Sequence, residues 1–515
     1  MPNRSSDTLF QLVKSLKKSE KRNFKLYAKR NSSAEDLKTT QLFDALDAMD
    51  IYDEVQLLKK NKKITKQQLS NIKAGLYRQI LSSLRLIRND DNIDMQLHEQ
   101  LDFARILYNK GLYLQSLKTL DKIKENAYAN NQLTFLLQVL FFEKKIEALH
   151  ITRSMQDRAD RLAHEVEETN NTLRSIGILS NLSLQLYSWY IKNGHARNKN
   201  DEEALKVYFE NHLPADVEAC SGFYEKLYLY QSYCWYAFIR QDFLLYYRYA
   251  QRWVDLFEKE KFMIAIETSH YIKGMHNLLG AHFDLQNYKK FIEALKHFEQ
   301  FAKSDIVLQN DNNLIQTFIY LNISRINKHF IEGTFTEGLK LVPGIVEKLD
   351  EYRLYIDRHR VLVFYYKIAS LYFGKGDYET TIDYLNKIIN WKVDLRTDLQ
   401  CYSRLLHLIA HYELGNYQLL EYLIKSVYRF MAKMENLGVV EEEVFNFLRR
   451  SFRVTPKQLK PEFEILLAKL KKLEKEPSAT RAFAYLDIIS WLESKIRHVP
   501  VQDIIHEKFL KKKPQ

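Results

Sequence analysis

The sequence predicts an all-α protein, an α-solenoid of about eight stacked helical hairpins with a helical domain before it and a helical cap after it. Three observations predict this. Gly and Pro number 14 and 8 among 515 residues, about 4% together where an average chain carries about 12%, so sandwiches, barrels and Rossmann folds, which need many tight turns, are disfavoured. Apolar residues recur at helical spacing along nearly the whole chain, as in Leu9, Leu12, Val13 and Leu16. One short polar loop followed by an aromatic residue recurs through the middle of the chain at a spacing of 39–47 residues.

The elements follow in order. The stripe at Leu9–Leu16 predicts a first helix. Ser19 stands where it could cap a second, carrying Phe24, Leu26 and Tyr27. Thr40 to Met49 holds Leu42, Phe43, Leu46 and Met49. Thr65 starts a long helix with Leu69, Ile72, Leu76, Ile80, Leu84 and Ile87, ended by Asn89-Asp90-Asp91-Asn92. Residues 1–95 therefore read as a compact helical domain.

From 96 to 436 the chain repeats itself. The marker loops are Lys110-Gly111-Leu112-Tyr113, Arg240-Gln241-Asp242-Phe243, Leu285-Gln286-Asn287-Tyr288, Glu332-Gly333-Thr334-Phe335, Lys375-Gly376-Asp377-Tyr378 and Leu414-Gly415-Asn416-Tyr417. The long interval from 113 to 243 leaves room for less regular turns near His150–Met155 and at Lys192-Asn193-Gly194 to Asp201. A single hairpin cannot bury its apolar face, so neighbours must stack. Beyond Asn436 the rhythm breaks. Thr455-Pro456 is a helix start, and the Lys-rich amphipathic run 461–475 and the apolar residues Phe483, Leu486, Ile489, Trp491 and Leu492 read as a cap over the last repeat. Residues 437–515 are thus a cap with a basic, partly ordered extension from 501.

The segment Ile368-Ala369-Ser370-Leu371-Tyr372-Phe373-Gly374-Lys375-Gly376-Asp377-Tyr378 resembles a tetratricopeptide repeat. Ala369 stands at that repeat's small position, Tyr372 at its aromatic position, Gly376 at its loop glycine, and Tyr378 opens the second helix. His411 to Tyr417 and Leu107 to Tyr113 follow the same pattern. The period is longer than the family's 34 residues and its closing proline is mostly missing. The resemblance covers about two-thirds of the chain and implies stacked helical hairpins with a concave inner surface.

The residue five before each marker aromatic is itself aromatic: Tyr108, Phe238, Phe283, Phe330, Phe373 and Tyr412. Tyr228, Tyr320 and Tyr402 stand ten residues earlier again in three units, and Trp235 lies near. In the family this first-helix position borders the concave surface. The row Tyr228, Trp235, Phe238, Phe283, Tyr320, Phe330, Phe373, Tyr402 and Tyr412 is the candidate groove for a protein or peptide partner, because rings give contact area at low entropy cost. The competing reading is packing of one hairpin on the next.

Charge is uneven. The formal net charge is +12, and residues 1–30 hold nine Lys/Arg against Asp7 and Glu20. Lys14, Lys17, Lys18, Lys21, Arg22, Lys25, Lys29 and Arg30 form a basic N-terminal patch that could meet phosphate, acidic protein or only solvent.

Chemistry is hard to find. No phosphate-cradling glycine loop and no HExxH is present. His407 and His411, one turn apart, lack a third metal ligand and read as packing residues. Glu441-Glu442-Glu443 reads as a helix N-terminal turn. Cys220, Cys234 and Cys401 form no disulfide framework, and Cys234 lies in an apolar helix. No secretory signal and no run of eighteen apolar residues is visible, so no membrane insertion is expected, and a reducing cytoplasm is the expected home. High Lys, Asn, Ile and Tyr usage hints at an AT-rich bacterial genome. The expected function is a non-enzymatic interaction scaffold or adaptor without cofactors, taking a partner peptide or helix in the concave face. The alternative is a regulator that contacts nucleic acid through the basic N-terminal helices, with the repeat array as sensor or dimerisation arm, a layout similar to that of bacterial peptide-sensing regulators.

Overall fold

The computed structural model describes residues 7–30, 34–60, 64–87, 92–150, 157–391, 396–451, 456–474, 482–483 and 486–512. Every regular element among them is helical, and they group into two compact units, 1–169 and 170–515. The boundaries expected at 95/96 and 436/437 fall inside these units.

The first unit holds α1 (Thr8–Ser15), α2 (Lys18–Arg30), α3 (Ala34–Asp47), α4 (Glu54–Lys60) and α5 (Lys66–Ile87) around one core, in which Phe24, Phe43, Leu46, Leu76 and Ile80 are fully buried. Asp7, not Ser19, supplies the first clear N-cap, accepting from the Leu9 and Phe10 amides. Ser19 lies inside α2, which begins a residue earlier. Thr65 caps α5 through the Gln68 amide. A second core joins α6 (Ile93–Asn109), α7 (Tyr113–Ala129), α8 (Leu133–His150) and the start of α9 (Arg158–Asn193), through Leu101, Leu120, Leu136, Val139 and Leu162.

The second unit takes the rest of α9, one helix of 36 residues that runs between the two less regular turns expected near His150–Met155, of which 151–156 lie outside the described residues, and at Lys192–Asp201. It continues with α10 (Lys199–Asn211), α11 (Phe223–Ile239), α12 (Phe243–Lys259), α13 (Phe262–Ile266), α14 (Thr268–Asp284), α15 (Tyr288–Phe301), α16 (Asp305–Leu308), α17 (Asp311–Glu332), α18 (Phe335–Gly338), α19 (Val342–Glu351), α20 (Arg358–Lys375), α21 (Tyr378–Ile389), α22 (Thr397–Glu413) and α23 (Tyr417–Lys433). It ends with α24 (Val439–Ser451), α25 (Pro456–Leu473), α26 (Ile488–Arg497) and α27 (Val501–Lys512). Five antiparallel hairpins, each begun by α11, α14, α17, α20 or α22, stack into a solenoid.

The marker loops share one backbone geometry. Gly111, Gln241, Gln286, Gly333, Gly376 and Gly415, each two residues before the marker aromatic, have φ between 55° and 91°. At Gln241 the loop is a Schellman cap: the Asp242 amide donates to the Ala237 carbonyl at 2.9 Å and the Gln241 amide to the Phe238 carbonyl at 3.1 Å. The Asp242 carboxylate then accepts from the Leu245 amide and starts the next helix. Asn287 and Asp377 repeat this N-cap. The loop thus closes one helix and opens the next within four residues, so few glycines and prolines suffice.

Helices α24, α25 and α26 share one core with the last hairpin. Phe445, Phe447, Leu448, Leu466 and Trp491 are buried with Leu405, Leu408 and Met431 of the last hairpin. The expectation of a partly ordered extension from 501 is corrected for residues 501–512, which form α27. That helix is amphipathic, with Val501 and Ile504 buried, and it packs against α17 and α20.

Candidate functional site

The first helices of successive hairpins each turn one stripe inward, and together the stripes wall a cavity of about 1590 Å³. Residues Tyr187 and Tyr190 come from α9, Trp235 and Phe238 from α11, Lys273, His276 and Phe283 from α14, Tyr320, Asn327 and Phe330 from α17, and Arg360, Lys367 and Phe373 from α20. Helical spacing of three, four and seven residues puts each set on one face. The far wall is α27, through Val501, Ile505, Lys508 and Phe509.

Six of the nine expected groove residues meet here: Trp235, Phe238, Phe283, Tyr320, Phe330 and Phe373. Trp235, Phe238, Phe283 and Phe330 are half-buried, whereas Tyr320 and Phe373 are buried at 5% exposure. The other three lie elsewhere. Tyr228 meets the His270 ring edge-on at 5.9 Å and packs beside Leu179, Cys220 and Leu229. Tyr402 and Tyr412 are core residues because the C-terminal helices cover that side of α22. The Tyr402 hydroxyl donates to Glu441 at 2.6 Å, and Tyr412 sits against Phe447 and Trp491. On α22 the cavity-facing residues are Leu399 and Leu406.

The cavity is cationic, which the sequence reading missed. Lys273 Nζ lies over Trp235 at 5.2 Å and over Tyr320 at 5.1 Å. Lys367 Nζ lies over Phe330 at 5.3 Å and Phe283 at 5.9 Å, and donates to Asn327 Oδ1 at 2.6 Å. Arg360 donates to the Tyr320 hydroxyl at 2.9 Å and pairs with Asp357 at 2.8 Å. A signal existed. Lys273 stands ten residues before Phe283, the register that Tyr320 holds before Phe330.

Electrostatics follow from this crowding. Burial pushes the Tyr320 phenol up, yet the Lys273 and Arg360 cations outweigh it and hold the phenol below its ordinary value. Burial, then the Lys273, Lys367 and Arg360 charges, hold the His276 imidazole well below its usual range. Burial and the Arg396 cation push His359 down to about 3. Burial lowers the Lys367 amine to about 8 against the opposing Asp284 carboxylate, while burial raises Asp284 itself to about 7.

One further pairing shapes the site. Arg396 and Asp398, both buried, form a two-pronged ion pair with 2.8 Å contacts. The Arg396 amide donates to the Ile191 carbonyl at 3.1 Å, and its guanidinium lies 4.9 Å from the Tyr190 ring. Arg197 reaches Glu435 at 2.5 Å. These contacts draw the segment after α9 onto the start of α22 and the end of α23, across the concave side.

The basic N-terminal patch is partly neutralised. Lys21 pairs with Asp47 at 2.5 Å, Lys25 with Asp44 at 2.7 Å, and Lys14 donates to the Asp47 carbonyl. Lys17, Lys18, Arg22 and Lys29 are exposed; the Arg30 side chain lies outside the described ones. The His407 and His411 rings meet edge to face at 4.5 Å. Among the described residues no cluster of His, Cys, Asp and Glu is placed to hold a metal, and no helix is long and apolar enough to cross a membrane.

No protein-family model and no curated protein matches this chain. Among solved structures, the apo form of the quorum sensor NprR from B. thuringiensis is similar, with a TM-score of 0.40 and 12% identity over 82% of this chain and 99% of that chain.

Proposed function

We propose that this chain is a non-enzymatic interaction module of the tetratricopeptide type, working in the cytoplasm, that takes an extended peptide or a helix of a partner protein in its concave cavity. The observation that carries the reading is the half-buried row Trp235, Phe238, Phe283 and Phe330 on the wall of a cavity of about 1590 Å³. Small-molecule sites usually span about 300–1,000 Å³, and rings with one open face are anchors for partner side chains. The test is retention of the full-length protein on an array of immobilised random peptides. Phe283→Ala with Phe330→Ala is expected to abolish retention with little change in melting temperature. Phe373→Ala, a core truncation, is expected to cost about 3–5 kcal/mol of stability. Undiminished retention by the double variant would reject the cavity as the binding surface.

A second reading keeps nucleic-acid contact through α1 and α2, supported by the exposed Lys17, Lys18, Arg22 and Lys29. Such binding would be sequence-independent and would fall steeply with added salt.

A further inference from the structure

We infer that the cavity selects an acidic partner segment, whose carboxylates are held between Lys273, Arg360 and Lys367 while its apolar side chains meet the flanking rings. This rests on the peptide-binding reading above and names the chemical class of its ligand. Lys273 and Lys367 make no ion pair within 4.0 Å among the described residues, although both lie in a cavity wall. Lys471 and Lys508, which line the same cavity, do find a carboxylate, both on Glu493. An ammonium withdrawn from water without a counter-charge is costly, so such groups are normally paired. Here each amine is held by aromatic faces instead: Lys273 by Trp235 and Tyr320, Lys367 by Phe283 and Phe330. Those contacts steady a cation but leave its charge uncancelled.

Among the described residues nine Lys/Arg and five Asp/Glu line the cavity, so its formal charge is positive, and Glu493 is already paired with Lys471 and Lys508. Asp284 is the acid that acts on Lys367, and burial raises its carboxyl to about 7, so it offsets only part of that charge. His276 and His359 are neutral there. Asp357 engages one nitrogen of Arg360, and the other is turned to Tyr320. The lowered Tyr320 phenol reports net positive potential in the middle of the row. Lys273 of α14 and Arg360 of α20 flank the Tyr320 ring of α17, at 5.1 and 5.5 Å, and Lys367 stands two turns farther along α20 beside Phe283 and Phe330. Two cationic positions about two helical turns apart suit two carboxylates along an extended chain better than one compact anion.

The test uses the full-length chain and three immobilised pools of short random peptides equal in apolar content. Their polar positions are Glu/Asp, Gln/Asn or Lys/Arg. The acidic pool is expected to bind at least about tenfold more tightly than the neutral pool, a difference of about 1.4 kcal/mol, and the basic pool more weakly still. Added salt is expected to weaken the acidic pool alone. Lys273→Met with Lys367→Met is expected to erase the preference of the acidic over the neutral pool. Should that variant not fold, the salt titration of the wild-type chain decides alone. Equal binding of the acidic and neutral pools, or salt-independent binding of the acidic pool, overturns the inference and leaves peptide binding standing. Absence of binding by every pool removes both. Inorganic phosphate that displaces the acidic pool at equal concentration reassigns the cations to a phosphoryl ligand and also overturns it.

Discussion

Asp284 shows how one cavity residue sets a pH dependence. Burial raises its carboxyl to about 7 against the opposing pull of Lys367, whereas in an unfolded chain an aspartate ionises near about 3.9. Between about pH 4 and pH 7 the unfolded chain has released a proton that the folded chain keeps. Stability from this site is therefore fully present below about pH 4 and is lost as pH rises through that window. Asp284→Asn removes the ionisable group, so its gain in melting temperature over wild type should grow from pH 4 to pH 7 and then level off. Thermal melts across that range check this, and a gain independent of pH would mean that Asp284 ionises normally. Nothing in the sequence marks Asp284 as unusual, since its electrostatic neighbours Lys367, Tyr246 and Tyr190 stand on three other helices.

At the scale of the element, the repeated loop was legible and the final helix was not. Two loop residues of fixed type, a left-handed position and then an Asp, Asn or Thr, precede each marker aromatic of the second unit's hairpins from Phe243 to Tyr417. That information is local, so sequence alone reveals it. The docking of α27 is decided by contacts with residues more than 160 positions away. His506 Nδ1 meets the Glu332 carbonyl at 2.6 Å, and Thr336 Oγ1 donates to Gln502 at 2.9 Å. Gly333 is constrained twice, by φ of 67° and by the α27 backbone. A Cβ there would collide with the His506 amide and stand 2.7 Å from the Gln502 carbonyl oxygen. Gly333→Ala should therefore release α27 at a cost beyond the roughly 1–2 kcal/mol of a left-handed alanine. Hydrogen exchange should rise across 501–512 while α11–α15 stay protected. Unchanged protection of 501–512 would show that the loop relaxes without moving the helix.

Across the second unit, two cores share a single helix. Phe364, Ile368 and Leu371 of α20 belong to the core of the earlier hairpins, and Leu362, Tyr366, Ala369 and Phe373 to the core of the last hairpin and the C-terminal helices. Stacked repeats are coupled through such nearest-neighbour interfaces. Cys234 is buried in the first core and Cys401 in the second, so thiol labelling reports each. Both are expected to resist labelling in the native chain, and in rising urea both should become reactive at one midpoint, because α20 cannot leave one core without opening the other. Two separated midpoints would show that the cores unfold independently.

The sequence by itself determined the helices, the hairpin loops and the inward position of Phe238, Phe283, Phe330 and Phe373. Periodicity and capping act over a few residues, and equivalent repeat positions share a surface. Only the tertiary structure decided that Tyr402 and Tyr412 are core, that Lys273 and Lys367 stand over aromatic rings with no ion pair within 4.0 Å among the described residues, and that α27 lines the cavity. Those outcomes depend on which helix covers which face, and burial and charge pairing arise from residues that meet only once the repeats have stacked.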